Sequence, residues 1–103
     1  MSDETWTIIK YKPKEGSEEQ FIESLKRLYQ LMRDNKKYDY LNDFIKIDAT
    51  GEYVQIARMP SIDALIDGQV AGLEWLDSVD HLLEWYPVDS RTEAFSGIKI
   101  PLD

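Results

Sequence analysis

The stretch from Leu41 to Met59 constrains this chain more than any other. Leu41 to Asp48 and Tyr53 to Met59 read as two strands joined around Ala49-Thr50-Gly51-Glu52. Side chains alternate between the faces of a strand, so Ile45, Ile47, Val54 and Ile56 fill one face of this hairpin. Phe44, Tyr53 and Ala57 lie on the other, beside Lys46 and Gln55. An even loop of two or four residues is expected, with Ile47 opposite Val54 and Ile45 opposite Ile56. An odd loop would set Ile45 against Gln55, and register follows the apolar match. A hairpin that is apolar on both faces needs cover on both.

The remaining segments supply one layer of cover. Thr5 to Lys12 alternates as a strand, with Trp6 and Ile8 on one side and Ile9 and Tyr11 on the other. Pro13 to Gly16 is a turn, and Ser17-Glu18-Glu19-Gln20 fits a capping box. Phe21, Ile22, Leu25, Leu28, Tyr29 and Met32 follow at helical spacing, so a helix is predicted over Ser17 to Asn35. Ser61 caps a second helix whose stripe is Ile62, Leu65, Ile66 and Val70. Gly68 and Gly72 cost about 1 kcal/mol each relative to alanine, so a break is expected near Gly72. A further helical stretch, with Asp77 or Ser78 as its cap, would then run to Tyr86 and stop at Pro87. Arg91 to Ile100 reads as a last strand. The order β-α-β-β-α-β predicts an α+β, ferredoxin-like domain over residues 1–103, with a four-stranded antiparallel sheet and both helices on one face. Phe44, Tyr53 and Ala57 then belong to the face left open. An open, half-apolar sheet face on so small a domain is an interaction surface or a ligand wall, and two such faces packed across a two-fold axis solve it economically. A homodimer with a cavity is expected.

Composition excludes much chemistry. The chain has no cysteine, so disulfides, thiolate catalysis, iron–sulfur clusters and cysteine zinc sites are ruled out. One histidine per chain cannot form a three-histidine or HExxH site, and no metal or other cofactor is expected. Twenty acidic against twelve basic residues give a net charge of -8, which argues against nucleic acid and against anionic membranes. The nearest basic cluster, Arg33, Lys36 and Lys37, falls where cations complement a helix C-terminus. No apolar run approaches the ~20 residues that span a bilayer, and the acidic opening Met1-Ser2-Asp3-Glu4 is unlike a signal peptide. With no cysteine, these features fit a cytoplasmic protein.

The run Trp6-Thr7-Ile8-Ile9-Lys10-Tyr11-Lys12-Pro13-Lys14-Glu15-Gly16-Ser17-Glu18-Glu19-Gln20-Phe21 resembles the opening of the dimeric α+β barrel superfamily. Arg58-Met59-Pro60-Ser61-Ile62-Asp63-Ala64-Leu65 is similar to the point where the third strand of those proteins feeds the second helix. The nearest branch is that of antibiotic-biosynthesis-monooxygenase-like proteins. The resemblance implies a dimer that binds a small hydrophobic ligand, and in some members oxidation of aromatic polyketides without metal or flavin. Many members carry a histidine early in the second helix, where this chain has Asp67, Gly68 and Gln69.

Three residues are candidates for chemistry. His81 has the side chain whose ordinary pKa lies nearest neutrality, but helical geometry sets it on a solvated face with Asp77 and Glu84. Arg58 could grip a carboxylate or phenolate bidentately, or pair with Asp63. Tyr11 could orient a ligand through its hydroxyl. The expected ligand residues are Tyr11, Phe44, Tyr53, Arg58 and Trp85, around an aromatic or hydrophobic molecule between sheet and helices. A cofactor-independent monooxygenase and a structural or regulatory interaction module are the alternatives.

Overall fold

A computed structural model of the chain describes residues 4–34, 41–87 and 89–102. The elements are β1 (Thr5–Tyr11), α1 (Glu18–Asp34), β2 (Leu41–Ile47), β3 (Glu52–Met59), α2 (Ile62–Val79) and β4 (Glu93–Ile98), with one 3₁₀ turn over Asp80–Leu82. The strands form one antiparallel sheet in the order β2-β3-β1-β4, so the ferredoxin-like α+β order is as the sequence predicts. Asn35, Lys36 and Lys37 lie outside the described residues.

Local signals act where they should. The Ser17 carbonyl accepts from the Phe21 N–H at 2.9 Å, opening α1 one residue after Ser17. The Ser61 hydroxyl accepts from the Ala64 N–H at 3.2 Å, capping α2. Gly51, at φ 75, closes the hairpin between β2 and β3 as its N–H donates to the Ile47 carbonyl.

Four expectations need correction. The β2–β3 loop is even, but it is the wider turn over Asp48 to Gly51. Ile45 therefore faces Val54 and Ile47 faces Glu52, two residues away from the expected pairing. Helix α2 is not broken at Gly72. It runs through both glycines to Val79, because Ala64, Trp75 and Val79 bury its two ends against the rest of the fold. The helical path ends at Leu82, and Leu83 bridges Pro13 instead of continuing towards Tyr86. The faces of the sheet are also exchanged. The helices cover the side carrying Tyr11, Tyr53, Gln55 and Ala57, all buried. The side left open carries Ile8, Ile45, Ile56 and Phe95. Aromatic rings decide this. Tyr11, Phe21, Tyr53 and Trp75 form one cluster with Leu25, Leu28 and Val79 between sheet and helices.

Since the helix continues through Gly72, and a Cβ there meets no atom within 4 Å, Gly72→Ala should raise stability by about 1 kcal/mol. A urea titration would show this as a higher midpoint with unchanged slope. An interrupted helix would give no such gain.

Candidate functional site

The layer between sheet and α2 contains a half-open cavity of about 310 Å³. Its origin is a run of small side chains. Cross-strand pairing sets Ser96, Thr7 and Ala57 in one row across β4, β1 and β3, and Ala94, Ile9 and Gln55 in the next. These residues floor the cavity. Overhead, α2 presents Gly68 and Gly72, four residues apart and so on one face of the helix. A Cβ at either would meet nothing within 4 Å. Leu28, Met32 and Leu76 close one side, and Leu65 and Met59 another. Leu73 and β4 lie at the exposed margin.

The residues with polar side-chain groups in the wall, Thr7, Tyr11, Gln55, Gln69, Trp75, Thr92 and Ser96, are all uncharged. Tyr11 is 3% exposed, and its hydroxyl donates to Gln55 Oε1 at 2.7 Å. Gln55 Nε2 donates to Asn42 Oδ1 at 2.8 Å, which leaves the buried Asn42 Nδ2 without a partner among the described residues. Burial pushes the Tyr11 phenol well above its ordinary pKa, so it stays protonated. Nearer β4, the Thr7 and Ser96 hydroxyls share a hydrogen bond of 2.9 Å.

The expected ligand residues separate. Tyr11 lines the cavity. Tyr53 and Phe44 share its side of the sheet but pack in and against the aromatic core. The Tyr53 hydroxyl donates to Glu18, which also accepts from Lys46; burial, then Glu18, pushes Tyr53 up to about 12. Arg58 lies on the opposite face of the sheet, in register with Trp6 and Leu41. Trp85 is 53% exposed, beyond the 3₁₀ turn. His81 is exposed in that turn, and Asp77, expected beside it, accepts instead from Arg91 at 2.6 Å. Arg58, Tyr11 and His81 therefore do not converge. The sequence reading missed Gly68 and Gly72 as site residues and took them only as helix weakeners. Two glycines one turn apart, over strands with small residues at alternate positions, were the available signal.

A second cleft, of about 480 Å³ between α1 and α2, is more open and is walled by Arg27, Asp34 and Glu74. No group of three or more metal-ligating side chains occurs among the described residues. No described helix is long and apolar enough to cross a membrane.

The open face has its own electrostatics. Glu52 accepts from the Tyr86 hydroxyl at 2.6 Å and lies 3.6 Å from Lys10, which also reaches Glu93 at 3.3 Å. The Tyr86 hydrogen bond, helped by Thr50 and Lys10 and opposed by burial, holds the Glu52 carboxyl below its usual range.

No family model matches the sequence, and no curated protein does. One similar solved structure is that of Rv0793 from Mycobacterium tuberculosis. It is 20% identical, over 97% of this chain and 96% of its own, with a TM-score of 0.75. The two share a fold from end to end. At that identity the likeness speaks for the fold alone.

A carboxyl depressed by folding stabilises the protein above its unfolded pKa, and that contribution is lost as pH falls through the folded pKa. Tyr86→Phe should therefore lower the urea midpoint at neutral pH, and the gap to the parent should shrink on acidification below the carboxylate range. A gap independent of pH would mean that the Tyr86–Glu52 bond is not its source.

Proposed function

We propose that this chain is a homodimeric binding protein for a small hydrophobic molecule, held between the sheet and α2 of each protomer. The cavity under Gly68 and Gly72 carries the reading. Small side chains below and absent ones above open a space in a layer that otherwise packs four aromatic rings together. Cavities of roughly 300 Å³ and upward with apolar walls and few polar groups are typical small-molecule sites. The aromatic edge supplied by Trp75 and Tyr11 suits a flat ligand.

The open sheet face supports the dimer. Phe95, Ile8 and Ile56 form an apolar row across β4, β1 and β3, and Ile45 continues the patch on β2. Ile8, Ile45 and Phe95 are 41%, 51% and 58% exposed. A second copy presenting the same row across a two-fold axis would cover all three. The resemblance to antibiotic-biosynthesis-monooxygenase-like proteins fits this arrangement. Binding is favoured over oxidation because Tyr11 is the one catalytic candidate at the cavity.

Native mass spectrometry of gently purified protein tests both parts. The expected species is a dimer carrying an added small-molecule mass. Ile45→Asp and Phe95→Asp should each yield monomers that melt close to the parent protomer, since both side chains are exposed before association. Gly72→Leu should obstruct the cavity beneath α2 and remove the bound mass while leaving the dimer. A parent monomer at micromolar concentration would sink the dimer, and ligand retained by Gly72→Leu would sink the cavity assignment.

A further inference from the structure

Resting on that reading of the cavity, we infer that its ligand is an uncharged molecule that donates a hydrogen bond, from a hydroxyl or an N–H, to the phenol oxygen of Tyr11. Three observations lead there. The first is the wall. None of the residues lining the cavity is charged. An ion brought into it would lose water and meet no counter-charge, a cost of several kcal/mol or more. The net charge of -8 further disfavours an anion.

The second observation is the direction of the hydrogen bonds. The Tyr11 hydroxyl has one proton, and Gln55 Oε1 takes it at 2.7 Å. Gln55 in turn donates through its Nε2 to Asn42 Oδ1 at 2.8 Å. The Tyr11 oxygen therefore keeps lone pairs and has no proton to give. A ligand group meeting it must donate. The third observation is burial. Tyr11, Gln55 and Asn42 are 3%, 6% and 9% exposed, so bulk water does not compete freely for this acceptor. A polar relay buried this deeply against an apolar cavity selects for a matching polar atom, since a ligand without one covers the oxygen and leaves it unpaired.

Four probes of one shape separate the possibilities by isothermal calorimetry. Indole is neutral and donates, indene is neutral and cannot donate, indanone only accepts, and indole carboxylate carries an anion. The parent protein should bind indole about 2- to 12-fold more tightly than indene, and the carboxylate more weakly than either. Tyr11→Phe should bring indole down to the affinity of indene while indene itself is little changed. In Gln55→Met the Tyr11 proton loses its acceptor and becomes free to donate, so indanone should bind more tightly than it does to the parent. This variant keeps the test available if Tyr11→Phe does not fold. Equal binding of indole and indene to the parent, a preference for the carboxylate, or no gain for indanone in Gln55→Met would overturn the inference and leave the cavity as a ligand site. Failure of the parent to bind any of the four would overturn the cavity reading itself, and the inference with it.

Discussion

Phe21 is fully buried, and its ring lies 5.6 Å from Tyr11, 5.3 Å from Tyr53 and 6.3 Å from Trp75. Tyr11 and Trp75 meet edge to face at 5.7 Å. These four rings come from β1, α1, β3 and α2 in turn, so one cluster ties each helix to the two central strands. Such pairs contribute about 0.5–1.5 kcal/mol each beyond their buried area. The Trp75 indole also donates to the Ser24 carbonyl at 2.7 Å, which fastens α2 to α1. The other end of α2 is pinned where Ala64 packs with Ala57 and Met59. Ala64 and Trp75 are about 16 Å apart along a helix. Between these anchors α2 spans the sheet, and Gly68 and Gly72 fall in the span. The cavity is a consequence of two well-packed ends and a middle that has little to pack with.

That arrangement explains which parts of the fold were legible in the sequence. Element order, the Ser61 cap and the four strands follow from local pattern, and local pattern is dense here. The side of the sheet that the helices cover does not follow from it, because both sides are apolar. Ile45, Val54 and Ile56 read as core by hydropathy, yet Tyr53 and Tyr11 bury the larger surfaces, and only the position of Phe21 and Trp75 on the helices decides the matter. The hairpin register has the same character. Apolar matching placed Ile45, Val54 and Ile56 on one common face but could not separate Ile45 opposite Val54 from Ile45 opposite Ile56, since both pair two aliphatic residues. Gly51 settles it through a turn that needs φ 75. Gly72 was misjudged because propensity is a weak local cost that tertiary anchors override. In the candidate site, Tyr11 was legible as a tyrosine on the right strand. Gln55 and Asn42 became meaningful only once pairing placed them in one hydrogen-bonded relay.

The open face and the net charge pull against each other less than composition suggests. Two bodies of charge -8 repel, but the centre of the open face is close to neutral. Lys10 sits between Glu52 and Glu93, and Ile8, Ile56 and Phe95 carry no charge. Glu18 and Glu19 lie in the first turn of α1, on the far side of the sheet from that face. Charges separated by more than a Debye length of about 8 Å are largely screened at physiological salt. What two copies would feel at contact is the apolar row and its rim, and burying apolar surface there contributes roughly 25 cal/mol per Å² before the costs of association.

Stability and space oppose one another most directly along α2. Alanine at Gly68 and Gly72 would stiffen the helix by about 2 kcal/mol together, a sizeable fraction of the 5–15 kcal/mol that holds a typical domain folded. The same methyl groups would project toward a cavity of about 310 Å³ whose walls are mostly apolar. Because the cavity is half-open and carries the Thr7 and Ser96 hydroxyls toward β4, water can enter it there, so it does not cost what an empty void would. Water there meets few partners, however, and a ligand that displaces it returns dispersion contacts to walls that lack them. Binding to the folded state alone then adds stability in proportion to the logarithm of ligand concentration over its dissociation constant. On the proposed function, the glycines would place part of the protein's stability outside its own sequence, in the molecule that fills the space they leave.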